Sequence, residues 1–303
     1  MIYTCTLNPS VDFIIEMDSF EIGKLNRTKN VMKYPGGKGI NVSRVLKRLG
    51  VDNVALGFIG GLTGDFITHE LEKEQIAYDF VNITGETRIN LKLKSDQETE
   101  INSQGPSIST EQQARLLEKM QNLRENDYLI LAGNIPSSLP ANFYHSILKR
   151  LMEKKVKIIV DTSGTALKEL ISCQPFLIKP NHHELGDLFH TTLTSLDDII
   201  TYGKQLVSMG IENVIVSMAE KGALFFNKQM TLFANAPKGD VKSSVGAGDS
   251  MIAGFLAIYA KEKNVEKAFQ YSVAAGSATA FSPNLCTRSQ VEQLVQKIQI
   301  THL

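Results

Sequence analysis

Six short strand-like runs, at residues 2–7, 53–59, 128–132, 156–160, 176–178 and 214–217, are for the most part continuously apolar. A strand with one solvated face alternates apolar and polar residues, so unbroken runs predict strands covered on both faces, as in a parallel sheet. Between the first two runs the period changes. Val42, Val45, Leu46 and Leu49 recur at i, i+3, i+4 and i+7, one stripe of a helix, and Gly50 follows as its stop signal. Strands alternating with helices predict a doubly wound α/β sheet. Two segments break this rhythm, roughly 11–34 and 88–101, where polar and apolar residues alternate without an intervening helix, and they predict a small separate sheet. From Gly246 the pattern is helical: 246–260, 265–280, and a last helix after Arg288. With no internal repeat, low-complexity tract or long linker, the chain reads as one domain with a small appendage.

Composition narrows the function classes. The chain has 303 residues, 43% hydrophobic and 21% charged, the proportions of an ordinary globular protein, and one helix-covered sheet can absorb that length. Lys plus Arg and Asp plus Glu each number 32, so no global positive field gathers nucleic acid or an anionic membrane, and any anion must be held by a local site. Cys5, Cys173 and Cys286 are few, odd in number and far apart, which fits reduced thiols in a cytoplasm better than a disulfide framework or a zinc site. Asn8, Pro9 and Asp12 interrupt the N-terminal apolar run, so no signal peptide is expected. No window approaches the roughly 18 apolar residues of a membrane span.

The strongest chemical signal is Val245-Gly246-Ala247-Gly248-Asp249-Ser250, which opens the helix at 246–260. Glycines let backbone N–H groups approach a ligand, and a helix N-terminus favours phosphate through its unpaired donors and dipole. An aspartate in that first turn can take a proton from an attacking hydroxyl while the amides stabilise a transferring phosphoryl group. Taken alone, the motif also describes a flexible helix start with a favourable acidic residue. A second glycine-rich stretch, Pro35-Gly36-Gly37-Lys38-Gly39-Ile40-Asn41, opens the helix that carries Val42 to Leu49 and adds a Lys charge and an Asn amide, which suit a polyhydroxylated anion. Neither stretch is a Walker A loop or a convincing dinucleotide fingerprint.

These two stretches, with Asn181-His182-His183-Glu184 between them, resemble in order and spacing the signatures of the ribokinase-like, or PfkB, family of carbohydrate kinases. The resemblance runs from Met1 to about Ala280. It implies a three-layer α/β/α sandwich with a mostly parallel central sheet plus a small β-sheet lid, the lid being formed by the inserted segments about 11–34 and 88–101 of a single domain, 1–303. It also implies ATP as co-substrate and Mg²⁺ as cofactor. Asp249 is the implied general base, with the amides of Gly246, Ala247 and Gly248 as the anion hole. Asp12 is implied to grip sugar hydroxyls, with Gly36, Gly37, Lys38 and Asn41. The nucleotide is assigned to Ser217, Ala219, Glu220 and Gly222, with Gly248 and Asn181. Glu184 is expected to act on Mg²⁺ through water, since that ion keeps much of its hydration.

A phosphate already on the sugar needs its own cation. Arg88 is the first candidate, with Lys38 and Arg27 as others. Where the family often has Ser-Gly-Ser-x-Pro, this chain has Ala132-Gly133-Asn134-Ile135-Pro136, leaving Asn134 as the hydrogen-bonding residue of that turn.

Residues 87–94 and 97–102 resemble the lid of those family members that phosphorylate fructose 1-phosphate. The expected reaction is therefore transfer to its C6 hydroxyl, giving fructose 1,6-bisphosphate and ADP. Tagatose 6-phosphate is the alternative substrate, fructose 6-phosphate a further one, and a non-catalytic sugar-phosphate-binding regulator the alternative from another class. An oxidoreductase would need Gly-x-Gly-x-x-Gly after the first strand, and that is absent. Apolar residues of the lid such as Phe13, Ile15 and Leu91 require cover, so a homodimer through the lid is expected.

Overall fold

The computed structural model describes residues 1–303, the side chain of Met152 excepted. In chain order the strands are β1 (Ile2–Thr6), β2 (Ser10–Glu16), β3 (Asn30–Gly36), β4 (Val54–Ile59), β5 (Ala77–Tyr78), β6 (Val81–Asn82), β7 (Arg88–Lys94), β8 (Glu98–Asn102), β9 (Tyr128–Ala132), β10 (Lys157–Asp161), β11 (Leu177–Ile178), β12 (Asn213–Ser217), β13 (Ala223–Asn227), β14 (Thr231–Ala234) and β15 (Ile300–His302). The helices are α1 (Lys38–Arg48), α2 (Gly61–Lys73), α3 (Thr110–Lys119), α4 (Phe143–Leu151), α5 (Gly164–Ile171), α6 (His182–Leu188), α7 (Leu196–Ser208), α8 (Ala247–Glu262), α9 (Val265–Ala280) and α10 (Arg288–Val295).

The central sheet runs β15-β14-β13-β12-β11-β10-β9-β1-β4-β5, with β6 also on β4. From β12 to β5 every pairing is parallel, and the β12–β15 edge is antiparallel. Alternation of side chains builds the three layers. Tyr128, Ile130 and Ala132 of β9 join a core with α1, α8, α9 and α10, while Leu129 and Leu131 join the opposite core with α3 to α7. The fold is thus the ribokinase-like α/β/α sandwich with a mostly parallel sheet and a separate small one.

The main strands and the helices at α1, α8 and α9 fall where the apolar pattern puts them. The edge β13–β14–β15 does not follow from that pattern: β13 and β14 fall in a stretch to which it assigns no element, and β15 in one that it reads as helical. β15 has only three residues, too few to carry a period, and the β13–β14 turn contains no glycine or proline. Its turn is made by a side chain instead: Asn227 Oδ1 accepts from the amides of Gln229 and Met230, both at 2.9 Å.

The two irregular segments pair as a four-stranded sheet, β3-β2-β7-β8. Its central pair is parallel, with Ser10 opposite Arg88 and Asp12 opposite Asn90. Val11 and Ile89 point the other way, into a third cluster with Ile67 and Leu71 of α2, and this anchors the sheet at one end. The face carrying Ser10, Asp12, Arg88 and Asn90 is therefore turned toward the central sheet.

A buried ionic knot ties α1 to the end of α2. Arg44, 4% exposed, donates from Nε to Glu74 Oε1 at 2.7 Å, and Arg48 donates to both oxygens of the same carboxylate. Burial pushes Glu74 up, but the hydrogen bond from Arg48 and both guanidinium charges outweigh it and hold the carboxyl below its ordinary 4.5. Glu74→Ala leaves Arg44 buried beside a like charge, and we expect a loss of about 3 kcal/mol in urea unfolding at pH 7. A depressed carboxyl contributes its stability above the unfolded value and loses it as pH falls through the folded one. The wild-type and variant curves should therefore converge as pH falls below the ordinary carboxylate range.

Candidate active site

Parallel strands of an α/β sheet end at a common edge, and ligands bind in the crevice outside their carboxyl ends. Here Thr6 of β1, Ala132 of β9, Asp161 of β10, Lys179 after β11 and Ser217 of β12 all line one cleft of about 1200 Å³, with the polar face of the small sheet across from them. Two helix N-termini, those of α1 and α8, open on this cleft, and neither has a side-chain cap. The Ala247 amide of α8 makes one long bond, to the Ser244 carbonyl at 3.3 Å, and the two positive dipole ends face one space, which suits anionic groups.

The α8 end depends on glycine. Gly246 has φ +77°, and a Cβ there would stand 2.6 Å from Leu285 Cδ2, so a side chain would be both strained and crowded. Asp249, in the first turn, is 5% exposed, and its Oδ2 accepts from Asn41 Nδ2 at 2.8 Å. The amide from α1 thus orients the carboxylate from α8. Burial, and then the nearby charge of Asp161, push the Asp249 carboxyl up to about 7, against the opposing pull of Lys38, Asn41 and Lys179.

Asp161 is the hub of the charges. Its Oδ1 lies 3.4 Å from Lys38 Nζ and 3.5 Å from Lys179 Nζ, and its buried Oδ2 has no hydrogen-bond partner among the described residues. Burial raises its carboxyl, but Lys179 and Lys38 more than compensate and keep it ionised. Asp161 in turn is the main reason that the Lys38 ammonium is held above its ordinary range, despite burial. The cleft floor therefore carries fixed charges of both signs within reach of both helix ends.

Asn181 and Glu184 form a reciprocal cap on α6: Asn181 Oδ1 accepts from the Glu184 amide at 2.9 Å, and Glu184 Oε2 accepts from the Asn181 amide at 2.8 Å. Both line the cleft, and the cap fixes the Glu184 carboxylate at its wall. Ser217, at the end of β12, and Ala219, Glu220 and Gly222, from the turn after it, line the same cleft. The His182 and His183 rings lie beside them, centroids 3.9 Å apart and tilted by 38°.

On the small sheet, Asp12 Oδ1 accepts from Ser10 Oγ at 2.7 Å and from Asn90 Nδ2 at 3.1 Å. Asn90 Oδ1 accepts from Arg88 Nη1 at 3.1 Å, and Arg88 also donates to the Asn8 and Ser103 carbonyls at 3.2 Å. Gly36 does not line the cleft itself. It makes room for Asp12, whose carboxylate would stand 2.5 Å from a Cβ at that position. Gly37, Lys38, Asn41, Arg88 and Asn134 do line it, as do Gly246, Ala247, Gly248 and Asp249. Arg27 lies on the exposed connection between β2 and β3 and is not among the lining residues.

Sequence reasoning passed over Asp161, Lys179, Asn90 and Lys92. The first two were reachable, because each stands at the carboxyl end of a correctly placed strand, where such sheets gather their functional groups. The other two are at i+2 and i+4 from Arg88, on the same strand face.

This fold, with two bare helix ends and a buried aspartate at one crevice, is that of a sugar kinase. The chain belongs to the pfkB family of carbohydrate kinases, whose family model matches residues 6–292. It is 51% identical over 303 residues to the 1-phosphofructokinase of Bacillus subtilis (strain 168), and 42% identical over 304 residues to the D-tagatose-1-phosphate kinase of Bacillus licheniformis, with all of each chain covered in both cases. Among solved structures it matches phosphofructokinase-2 from Escherichia coli, in complex with substrates and products, with a TM-score of 0.94 and 27% identity over 98% of both chains.

Proposed function

We propose that this chain transfers the γ-phosphoryl group of ATP to the C6 hydroxyl of fructose 1-phosphate, giving fructose 1,6-bisphosphate and ADP. The observation that carries the reading is Asp249: a buried carboxylate at a bare helix N-terminus, oriented by Asn41 and facing a polar sheet that presents Arg88 and Asp12. Ionised Asp249 accepts the proton of the attacking hydroxyl. The amides of Gly246, Ala247 and Gly248 stabilise charge on the phosphoryl group in flight. Lys38 and Lys179 supply positive charge beside it. Arg88 and Asn134 hold the sugar's own phosphate, and Asp12 its hydroxyls. The turn with Ser217, Ala219, Glu220 and Gly222 takes the nucleotide.

Magnesium fits this donor set. No cluster of three or more His, Cys, Asp or Glu suited to a metal occurs among the described residues, and Mg²⁺ needs only one or two carboxylates, with water and phosphates completing its shell. Asp161, with its unpartnered buried oxygen, and Glu184, through water, would hold it, and the ion would neutralise phosphate charge. The small sheet acts as a lid that excludes water during transfer.

The relative named for D-tagatose 1-phosphate adds that sugar to tagatose 6-phosphate as an alternative substrate; it too would accept phosphate at C6. A coupled assay tests the transfer itself. The product made from fructose 1-phosphate should be cleaved by fructose-bisphosphate aldolase, and a sugar bisphosphate that resists aldolase contradicts C6 phosphorylation.

We also infer a homodimer through the small sheet. Ile22 and Leu25, on the β2–β3 connection, are 91% and 81% exposed, and Phe20, Val31 and Ile101 add further apolar surface to the same sheet. Light scattering at micromolar concentration should give twice the 33.5 kDa chain mass. A 33.5 kDa particle would contradict it.

A further inference from the structure

One buried charged group of the small sheet has no task in the transfer chemistry. Lys92 is 7% exposed and lies on the cleft face of β7, two residues beyond Asn90. Its ammonium stands 3.8 Å from Asp12 Oδ2 and 3.9 Å from Glu100 Oε1, too far to hydrogen-bond either. Among the described residues no acceptor closer than these takes a hydrogen bond from it. An ammonium has three donors, and a buried one without acceptors is costly, a cost that two long ion pairs offset only in part.

Asp12 is its complement. Ser10 and Asn90 fill Oδ1 with two hydrogen bonds, and these fix the carboxylate so that Oδ2 remains toward Lys92 without a donor. An open acceptor and an open donor thus stand 3.8 Å apart at the wall of the cleft. They are too far apart to satisfy each other and near enough to be engaged together by neighbouring polar groups of one ligand.

The surrounding charge says what that group is. Lys92 is flanked by two carboxylates, Asp12 across β2 and Glu100 across β8, so a dianionic phosphate brought to Lys92 meets two like charges. Arg88, by contrast, makes its hydrogen bonds only to neutral oxygens, and its charge is free for an anion. A neutral hydroxyl can both donate and accept. Two adjacent sugar hydroxyls therefore satisfy the pair, one donating to Asp12 Oδ2 and its neighbour accepting from Lys92 Nζ.

We propose that Lys92 is a specificity-determining residue of the sugar site, reading with Asp12 two adjacent hydroxyls of a ketohexose phosphate. The inference rests on the kinase reading given above. A site built to hydrogen-bond a hydroxyl discriminates sharply against an analogue that lacks it, because its own buried groups are then left unpaired.

The test compares kcat/KM of wild type, Lys92→Met and Asp12→Asn on whichever ketohexose monophosphate the wild type turns over, and on its 3-deoxy and 4-deoxy analogues. Lys92→Met should cost about 10- to 100-fold on the parent sugar yet leave one deoxy analogue within about twofold of its wild-type value. Asp12→Asn should spare the other analogue in the same way. An equal loss on parent and both analogues, or no loss on the parent, overturns the proposal. Should Lys92→Met not fold, Lys92→Gln reads the same comparison. Wild-type preference for a sugar other than fructose 1-phosphate overturns the substrate assignment alone, since the analogue comparison is made within whichever sugar is used.

Discussion

Asp249→Asn should lower kcat by about 10³-fold while leaving KM for ATP nearly unchanged, because an amide of the same shape still fits the turn but cannot accept the proton. The same carboxyl sets the pH profile. With its value raised to about 7, chiefly by burial, kcat/KM should fall as pH drops through 7 and level off above it. Stability should move the opposite way. A carboxyl whose folded value is raised contributes stability when protonated and loses it as pH rises through 7, so Asp249→Asn should melt above wild type at pH 8, the gap closing toward pH 4. The carboxyl thus gives up stability between its unfolded and folded values, about pH 4 to 7, and gains catalytic rate at the upper end of that interval.

Arg88→Ala should reduce kcat/KM for the sugar phosphate by about 10²–10³-fold, mainly through KM, since charge-assisted hydrogen bonds to a half-buried phosphate are lost. Burial lowers the guanidinium's own range, with Asp12 opposing that, but no accessible pH neutralises an arginine. The effect should therefore not vary between pH 6 and 9. Arg88 also holds Asn90, which holds Asp12, so part of the loss should appear even with a sugar that lacks the phosphate. A change confined to KM for ATP would contradict the placement of the phosphate at the small sheet.

The sequence made the fold legible where burial imposed a long or regular pattern. The apolar run at β9 and the heptad-like stripe of α1 have only one comfortable structure each, and Gly246 and Gly37 stand at helix starts, where positive φ demands glycine. Legibility failed where the governing contact is remote or the element is short. The three residues of β15 are a strand only because β14 offers an edge, and the β13–β14 turn rests on the Asn227 side chain. At the site, Asp249, Asn41, Asp12 and Arg88 were visible through motifs. Asp161, Lys179 and Lys92 carry no motif, and what makes them significant is distance: two ammoniums around one buried carboxylate, and one ammonium without a hydrogen bond. Arg27 shows the converse, a charge close to a motif in sequence that the strand connection leaves in solvent.

Transfer to fructose 1-phosphate is measured by ADP release from the purified protein with MgATP, comparing fructose 1-phosphate, tagatose 1-phosphate, fructose 6-phosphate and fructose at equal low concentration. kcat/KM should be highest with fructose 1-phosphate, with tagatose 1-phosphate behind it and little turnover of the other two. Faster release with fructose 6-phosphate or with unphosphorylated fructose would contradict it.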